Sequence, residues 1–323
     1  MIPLHARPAD DASAAASIVQ TVLGPVDISA LGWTLAHEHF FTKTLDAPGM
    51  LLRDEEIAAL ELADAAAVGT RTVIDLTTFD LLRDPAALRR LSARTGVNIV
   101  MGTGWYLHKT YPERIALTST AALADELIRD IEEGVDGVRP GVIGEIGTWE
   151  TRIEAREERV LRAVARAQRA TGLAVFIHQQ RVLSGPAVLD ILGEEGVAAE
   201  SVVLCHTDSI GDPAATEAAV ATGAWIAFDR LQGWDLVFQP RPWEVQRRVD
   251  ALVRARRDGY LDRILLSTDC CVLGDLARYG GPGYAFTHGT FAGLLRLAGF
   301  TEDELEQLFA RNPAAAIRRR SAG

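Results

Sequence analysis

Trp33-Thr34-Leu35-Ala36-His37-Glu38-His39 is the stretch of this 323-residue chain that decides its fold. It has the pattern of a short buried strand that ends in two histidines two residues apart. Residues i and i+2 of a strand point to the same face, so His37 and His39 are expected to aim at one point just past the carboxyl end of the strand. Two neutral imidazoles that converge in this way form the beginning of a metal site.

Apolar runs rich in Val, Ile and Leu recur along the chain, and each is followed by a segment with helical periodicity. The runs cover 33–40, 71–78, 98–105, 141–148, 173–180, 201–208, 223–230 and 263–270. The helical segments cover 54–68, 84–95, 119–134, 153–171, 185–195, 212–222, 243–258 and 288–298. This alternation is typical of the α/β class and predicts a parallel (β/α)8 TIM barrel. The main alternative, a doubly wound open sheet, would want a Gly-rich phosphate loop after its first strand, where this chain has histidines.

The barrel accounts for most of the sequence. The Gly24-Pro25 turn after an apolar run predicts an N-terminal β-hairpin, and residues 302–320 predict a C-terminal helical tail. No Ser/Gly linker marks a boundary, so residues 18–323 are predicted to form a single barrel domain. Residues 1–17 precede the first apolar run and are predicted to be a flexible tail.

The composition limits the possible partners. Lys and Arg total 33 against 44 Asp and Glu, a formal net charge of −11, whereas nucleic-acid and anionic-membrane binders want a basic face. No apolar run approaches the length of a membrane span, and the first residues lack the apolar segment of a signal peptide. The three cysteines, Cys205, Cys270 and Cys271, make no disulfide framework. A cytoplasmic protein with a small-molecule partner, and with neither a nucleic-acid nor a membrane partner, is therefore expected.

Six potential metal ligands fall at the carboxyl ends of the predicted strands, where TIM barrels gather their catalytic residues. They are His37, His39, Glu145, His178, His206 and Asp269. Each has an ordinary interpretation when taken alone: a hydrogen-bonded rim histidine, a salt bridge from Glu145 to Arg152 or Arg181, or a helix cap at Asp269. A barrel brings all six to one rim, and so much imidazole and unpaired charge would be costly there without a cation.

Six ligands are too many for one tetrahedral zinc ion with an open position. They divide into His37, His39 and Asp269 on one divalent ion and His178 and His206 on a second, with Glu145 as the bridge. A water between two dications is acidified to hydroxide near neutral pH. Nitrogen-rich ligation suits Zn, although Mn, Co or Fe would bind the same set.

These motifs give the chain its resemblance to a known family. The chain resembles the phosphotriesterase-like branch of the amidohydrolase superfamily, from residue 18 to 318. The segments that carry the likeness are 31–39, Gly144-Glu145-Ile146-Gly147-Thr148, His178, His206-Thr207-Asp208, Phe228-Asp229-Arg230, Ser267-Thr268-Asp269 and Arg311-Asn312-Pro313. The resemblance implies a binuclear metal hydrolase, commonly with zinc and often homodimeric, that acts on phosphotriesters, lactones or other esters and amides. Much of the family bridges its metals with a carboxylated lysine, whereas this chain has Glu145 there, as the phosphotriesterase homology proteins do.

The resemblance also suggests residues around the metals. Tyr106 matches a phenol near the bridging hydroxide, or else forms the pocket wall. Arg230 matches a position that faces substrate, or else pairs with Asp229 or Asp235. Asp208 either orients His206 or caps the following helix. Neither Cys270 nor Cys271 is needed by the mechanism.

Three functions are consistent with these residues. In the first, the bridging hydroxide attacks a lactone, ester or amide carbonyl, and Asp269 passes the proton to the leaving group. In the second, the same hydroxide attacks a phosphotriester. The third is a catalytically silent metal- or ligand-binding barrel, which full retention of the ligands disfavours. Loops 231–242 and 270–287 are expected to decide the substrate.

Overall fold

A computed structural model describes residues 17–43, 51–149, 152–179, 185–233 and 242–320. Its strands, numbered here in chain order, are β1 Ile18–Thr21, β2 Gly24–Asp27, β3 Thr34–Glu38, β4 Thr42–Lys43, β5 Leu51–Leu52, β6 Thr72–Asp75, β7 Asn98–Met101, β8 Ile143–Thr148, β9 Val175–Gln179, β10 Val202–Leu204, β11 Trp225–Phe228 and β12 Ile264–Leu266. Within these residues, no helix is both long enough and apolar enough to cross a membrane.

The α-helices lie mainly between the barrel strands. They are α1 Glu55–Ala67, α2 Pro85–Thr95, α3 Arg114–Leu117, α4 Thr120–Glu133, α5 Ala155–Thr171, α6 Gly185–Glu194, α7 Thr207–Ile210, α8 Pro213–Ala221, α9 Pro242–Asp258, α10 Ala292–Leu297, α11 Glu302–Glu306 and α12 Asn312–Ala316. Asp54, Asp84 and Asp212 accept hydrogen bonds from first-turn amides of α1, α2 and α8, which satisfies N–H groups that a helix leaves unpaired.

The eight strands β3 and β6–β12 form the predicted TIM barrel, and the fold class is confirmed. Parallel ladders join β3, β6 and β7 in one run and β8 to β12 in another. A few hydrogen bonds outside the ladders link the two runs, among them those from the amide of Gly141 to the Met101 carbonyl at 2.9 Å and from that of Asp269 to the His37 carbonyl at 3.1 Å. The barrel strands therefore end around one rim.

The predicted strands are longer than the observed ones. The run at 201–208, for example, yields only Val202–Leu204. Beyond a ladder the chain remains buried, but its amides bond to side chains: the His206 amide donates to Asp229 Oδ1 at 2.8 Å, and the Phe40 amide to Asp75 Oδ2 at 2.8 Å. Apolar patterning marks burial, which continues past the point where strand pairing stops.

The N-terminal hairpin and the C-terminal helical tail are both present. β1 and β2 pair antiparallel, and the tail consists of α11, a π-helical turn at Gln307–Arg311, and α12. Pro313 explains the wide turn, because it has no amide to donate and its ring crowds the carbonyl four residues earlier. The short β4–β5 pair was not predicted. Of the predicted tail at 1–17, only Ser17 is among the described residues.

Apolar residues from alternate strand positions fill separate regions of the core. One buried cluster holds strand residues such as Ala36, Val100, Phe176, Val203 and Leu265. A second joins Leu35 to the helices α1 and α2 through Leu62 and Leu88. The strands are thus covered on both sides, as a parallel barrel requires, and polar side chains gather at the carboxyl ends of the strands.

Candidate metal centre

The structure brings together all six residues that the sequence predicts as ligands. Each lies within a barrel strand or one to three residues beyond its end, and each is at least 95% buried. They form two groups of three whose potential ligand atoms lie within 4.8 Å of one another: His37, His39 and Asp269, and Glu145, His178 and His206.

The first group has the spacing of a metal site. His37 Nε2 lies 3.3 Å from His39 Nε2 and 3.5 Å from Asp269 Oδ1. His39 Nε2 lies 3.3 Å from the same oxygen. Donor atoms about 2.1 Å from one ion in a tetrahedral arrangement are roughly 3.4 Å apart. These donors therefore fit a single divalent ion.

The second group is tighter and includes the acidic residue that lies between the groups. Glu145 Oε1 is 2.6 Å from His178 Nδ1 and 2.9 Å from His206 Nε2. The same carboxylate reaches the first group, with Oε1 3.5 Å from His37 Nε2 and Oε2 3.9 Å from His39 Nε2. Glu145 is thus placed to bridge two ions, and its contacts are with histidines rather than with the arginines considered from the sequence, of which Arg181 lies outside the described residues.

The local backbone explains how Glu145 enters the barrel. Gly144, immediately before it, has φ +132°, and a Cβ at Gly144 would lie 2.6 Å from the Phe176 carbonyl oxygen on the next strand. Only glycine tolerates that approach.

Two other candidate ligands adopt a left-handed backbone conformation. His206 has φ 60° and Asp269 has φ 51°. This conformation costs a non-glycine residue about 1–2 kcal/mol, so contacts elsewhere have to stabilise it. Such outliers at strand ends are common where side chains converge on a ligand.

Asp229 orients two of the histidines. Its Oδ2 accepts from His37 Nδ1 at 2.7 Å, and its Oδ1 accepts from both the side-chain Nδ1 and the backbone amide of His206 at 2.8 Å. Burial alone would raise its pKa, but the charges and hydrogen bonds of His206 and His37 hold the pKa of Asp229 far below its usual range. The ionised carboxylate keeps the proton on each Nδ1, so each ring can offer the lone pair of Nε2 to a metal once that nitrogen has lost its proton.

This role of Asp229 was missed from the sequence, which offered Asp208 as the orienting residue of His206. Asp208 instead pairs with Arg248 Nε at 2.9 Å, and both side chains are buried. Asp229 directly follows β11, at the same barrel end as the candidate ligands, but Asp208 also lies beside a strand end, so position alone did not distinguish the two. Thr77, also unpredicted, lies 3.0 Å from His39 Nδ1 through Oγ1.

Tyr106 and Arg230 both lie at the candidate metal centre. The phenol oxygen of Tyr106 is 3.2 Å from His178 Nε2 and 3.3 Å from its Nδ1. Arg230 is buried, and its Nε lies 3.4 Å from Asp269 Oδ2. Arg230 is therefore not the surface residue of the ordinary interpretation, and Asp235 lies outside the described residues.

The cysteines lie close to the site without joining a disulfide. Cys205, Cys270 and Cys271 are buried and form no disulfide with one another. Burial raises the pKa of Cys270 and Cys271 well above the usual value. Both are expected to stay protonated at neutral pH, in keeping with the inert role predicted for them.

Comparison with known proteins shows similarity over nearly the whole chain. The sequence profile of the phosphotriesterase family matches residues 17–317. The N-acetyltaurine hydrolase of Tetraodon nigroviridis is 32% identical over 338 residues, which cover 91% of this chain and 96% of that protein. The phosphotriesterase homology protein of Escherichia coli K12 is 31% identical over 291 residues, 88% of this chain and 97% of that protein. The crystal structure of a lactonase from Listeria monocytogenes superposes with a TM-score of 0.85 at 26% identity, covering 94% of this chain and 100% of that one.

Proposed function

Since this chain belongs to the phosphotriesterase family, we propose that it is a binuclear hydrolase that cleaves a lactone, a carboxylic ester or an amide at its carbonyl carbon. The family and the relatives make it a metal-dependent hydrolytic enzyme with a small-molecule substrate. The position of Glu145, within 4 Å of histidines from both ligand groups, is the observation that carries the binuclear proposal.

The two ligand groups would hold one ion each. His37, His39 and Asp269 would bind the first, His178 and His206 the second, and Glu145 would bridge them. Zinc suits four imidazole donors, and Mn, Co or Fe would accept the same set. When bound, such a pair supplies an acidified water as nucleophile and polarises the carbonyl of the substrate.

The chain's own residues would manage the protons and charge of the reaction. Asp269 presents Oδ1 to His37 and His39 and Oδ2 toward Arg230. This carboxylate would take the proton of the attacking water and deliver it to the leaving oxygen or nitrogen. The Tyr106 hydroxyl would donate a hydrogen bond to the oxyanion that develops on the carbonyl oxygen.

A panel of substrates tests the proposed bond type. Purified, metal-analysed protein would be assayed with lactones, N-acyl amino acids and an activated aryl phosphotriester. We expect turnover of a carbonyl substrate that a chelator abolishes and added metal restores. Faster hydrolysis of the phosphotriester would contradict the carbonyl proposal and favour a phosphotriesterase. Stoichiometric binding of substrates without turnover of any of them would contradict both of these hydrolytic functions.

Homodimer formation and a cytoplasmic location belong to the same proposal. Light scattering of the purified protein tests the first, and fractionation of the native cells tests the second.

Tyr106→Phe is expected to lower kcat about 10- to 100-fold with little change in KM, since it removes one donor to the oxyanion. Steady-state kinetics at equal metal content would measure this effect. Tyr111→Phe is the matched control, because the Tyr111 hydroxyl is buried without a hydrogen-bond partner in the described part of the chain. An unchanged kcat in Tyr106→Phe would assign the phenol to the pocket wall.

Arg230 is proposed to bind an acidic group of the substrate, because it is a buried cation beside the reacting centre. Arg230→Gln is expected to raise KM for N-acyl amino acids about 10- to 100-fold, because it removes one charge-assisted hydrogen bond to the substrate. KM for a neutral lactone should change about threefold or less. Equal increases for charged and neutral substrates would show that Arg230 acts by supporting Asp269 instead.

A further inference from the structure

The first and last strands of the barrel meet without a continuous ladder. Across this seam, the Asp269 amide donates to the His37 carbonyl at 3.1 Å, and the His39 amide donates to the Cys270 carbonyl at 3.3 Å. The seam also separates the ligands of the first group, because His37 and His39 belong to the end of β3 and Asp269 follows β12. Some other contact has to fix the position of Asp269 relative to the two histidines.

Glu38 supplies contacts across this seam. Its carboxylate is fully buried and turns toward the segment Ser267–Cys270. Oε1 accepts from Ser267 Oγ at 2.7 Å and from the amide and the hydroxyl of Thr268 at 2.9 and 2.6 Å. Oε2 accepts from the Cys270 amide at 2.8 Å. Four hydrogen bonds thus join one side chain between the two histidines to three residues that lie on either side of Asp269, namely Ser267, Thr268 and Cys270.

The two backbone contacts flank Asp269. Glu38 holds the amide before it, that of Thr268, and the amide after it, that of Cys270. Asp269 between them has φ 51°, a conformation that costs about 1–2 kcal/mol outside glycine. Hydrogen bonds to a charged acceptor contribute more than this, so Glu38 can stabilise the strained turn that aims Asp269 at His37 and His39.

We propose that Glu38 is a positioning residue for the first metal ion: its carboxylate holds Asp269 in the left-handed conformation in which Oδ1 meets His37 and His39. The inference rests on the proposed role of Asp269 as a ligand. It predicts that Glu38 acts on metal affinity only through Asp269.

The chemistry of the four partners makes the role specific to a carboxylate. Two of them are backbone amides, which can only donate. In Glu38→Gln the side-chain NH2 would face the Thr268 amide if it took the place of Oε1, or the Cys270 amide if it took the place of Oε2. In either case two donors would face each other. The substitution keeps the volume of the side chain and therefore changes hydrogen bonding without opening a cavity.

The test is a titration with chelator-buffered zinc, read as affinity and ions bound per chain. Glu38→Gln is expected to lower the affinity for one of the two zinc ions about 10- to 100-fold, which is the usual effect of losing a residue that orients a ligand. The affinity for the other ion should be unchanged. Glu61→Gln is the matched control, because Glu61 is a buried glutamate that accepts from the Arg278 amide in the same loop region, 270–287. It should bind both ions as the wild type does.

A double variant separates positioning from general loss of structure. Adding Glu38→Gln to an Asp269→Asn background should produce no further loss of metal affinity, because the residue through which Glu38 acts is already altered. Equal losses in both backgrounds, or no loss in either, would overturn the inference. If the wild type bound no ion at His37 and His39, the proposed function and this inference would both be wrong. That result differs from the two above, in which the wild type binds the ion and only the effect of Glu38→Gln is at issue.

A milder variant and a metal-free measurement guard against misfolding. Thr268→Val removes one hydroxyl donor and should weaken the same ion about tenfold or less. In the metal-free protein, hydrogen exchange of the Thr268 and Cys270 amides should accelerate in Glu38→Gln and not in Glu61→Gln. Unchanged exchange would show that Glu38 does not hold this segment.

Discussion

Glu145→Gln is expected to reduce bound metal from about two ions per chain to about one or fewer and to lower kcat by at least about 10³-fold. The glutamine oxygen can serve one ion, but the amide nitrogen is not a ligand, so the shared contact to both groups is lost. Elemental analysis of protein equilibrated with a metal buffer would measure the occupancy, and the best substrate of the panel would measure the rate.

The loss should be specific to the centre between the two ligand groups. Glu61→Gln makes the same chemical change in a buried glutamate that contacts Arg278 instead, and it should retain both ions. Reconstitution of the wild type should need no bicarbonate, because Glu145 brings its own carboxylate. About one ion per chain in both the wild type and Glu145→Gln would indicate a mononuclear hydrolase with Glu145 outside the metal site.

Asp229→Asn is expected to lower the metal affinity of the site formed by His37, His39 and Asp269 about 10- to 100-fold, and to lower kcat by a similar or greater factor. The asparagine oxygen can keep the two contacts to His206, because the His206 backbone amide can only donate and so needs an oxygen opposite it. Its NH2 group then faces His37 Nδ1, where Oδ2 now accepts at 2.7 Å. His37 would have to move its proton to Nε2 and so lose the lone pair that it offers to the metal.

Zinc titration of Asp229→Asn would distinguish this account from a general loss of stability. Asp130→Asn is a suitable control, since Asp130 is a buried aspartate that pairs with Arg83 at 3.0 Å. That variant can lose stability, but at a temperature where it is folded it should bind both ions with wild-type affinity. Normal binding at the first group in Asp229→Asn would show that the histidine tautomer is set by other contacts.

The fold could be predicted from the sequence because it depends on repeated local patterns. Eight apolar strands alternating with helices have few arrangements that bury both sides of every strand. The ligand candidates could be found for the same reason: once the barrel is recognised, every strand end lies on one rim, so His178 and His206 could be associated with His37 without any local signal that joins them.

The contacts around those ligands could not be predicted in this way. Asp208 and Asp229 both lie beside a strand end, and nothing in the local sequence says which of them faces His206. The answer depends on Arg248, which comes from a different helix and pairs with Asp208. Glu38 lies between two ligand candidates in the sequence, but its hydrogen-bond partners are 229 to 232 positions away, within Ser267–Cys270. No local pattern could therefore reveal its contacts.

The sequence by itself therefore determined the barrel, its hairpin and tail, and the set of residues at the rim, since periodicity and position within an element are local properties. Only the tertiary structure decided which oxygen meets which nitrogen. Hydrogen-bond partners, histidine orientation and the left-handed turns at His206 and Asp269 depend on contacts between residues that are far apart in the sequence. Where the first and last strands meet, closure places the Asp269 amide 3.1 Å from the His37 carbonyl oxygen, within the range over which directional bonds act.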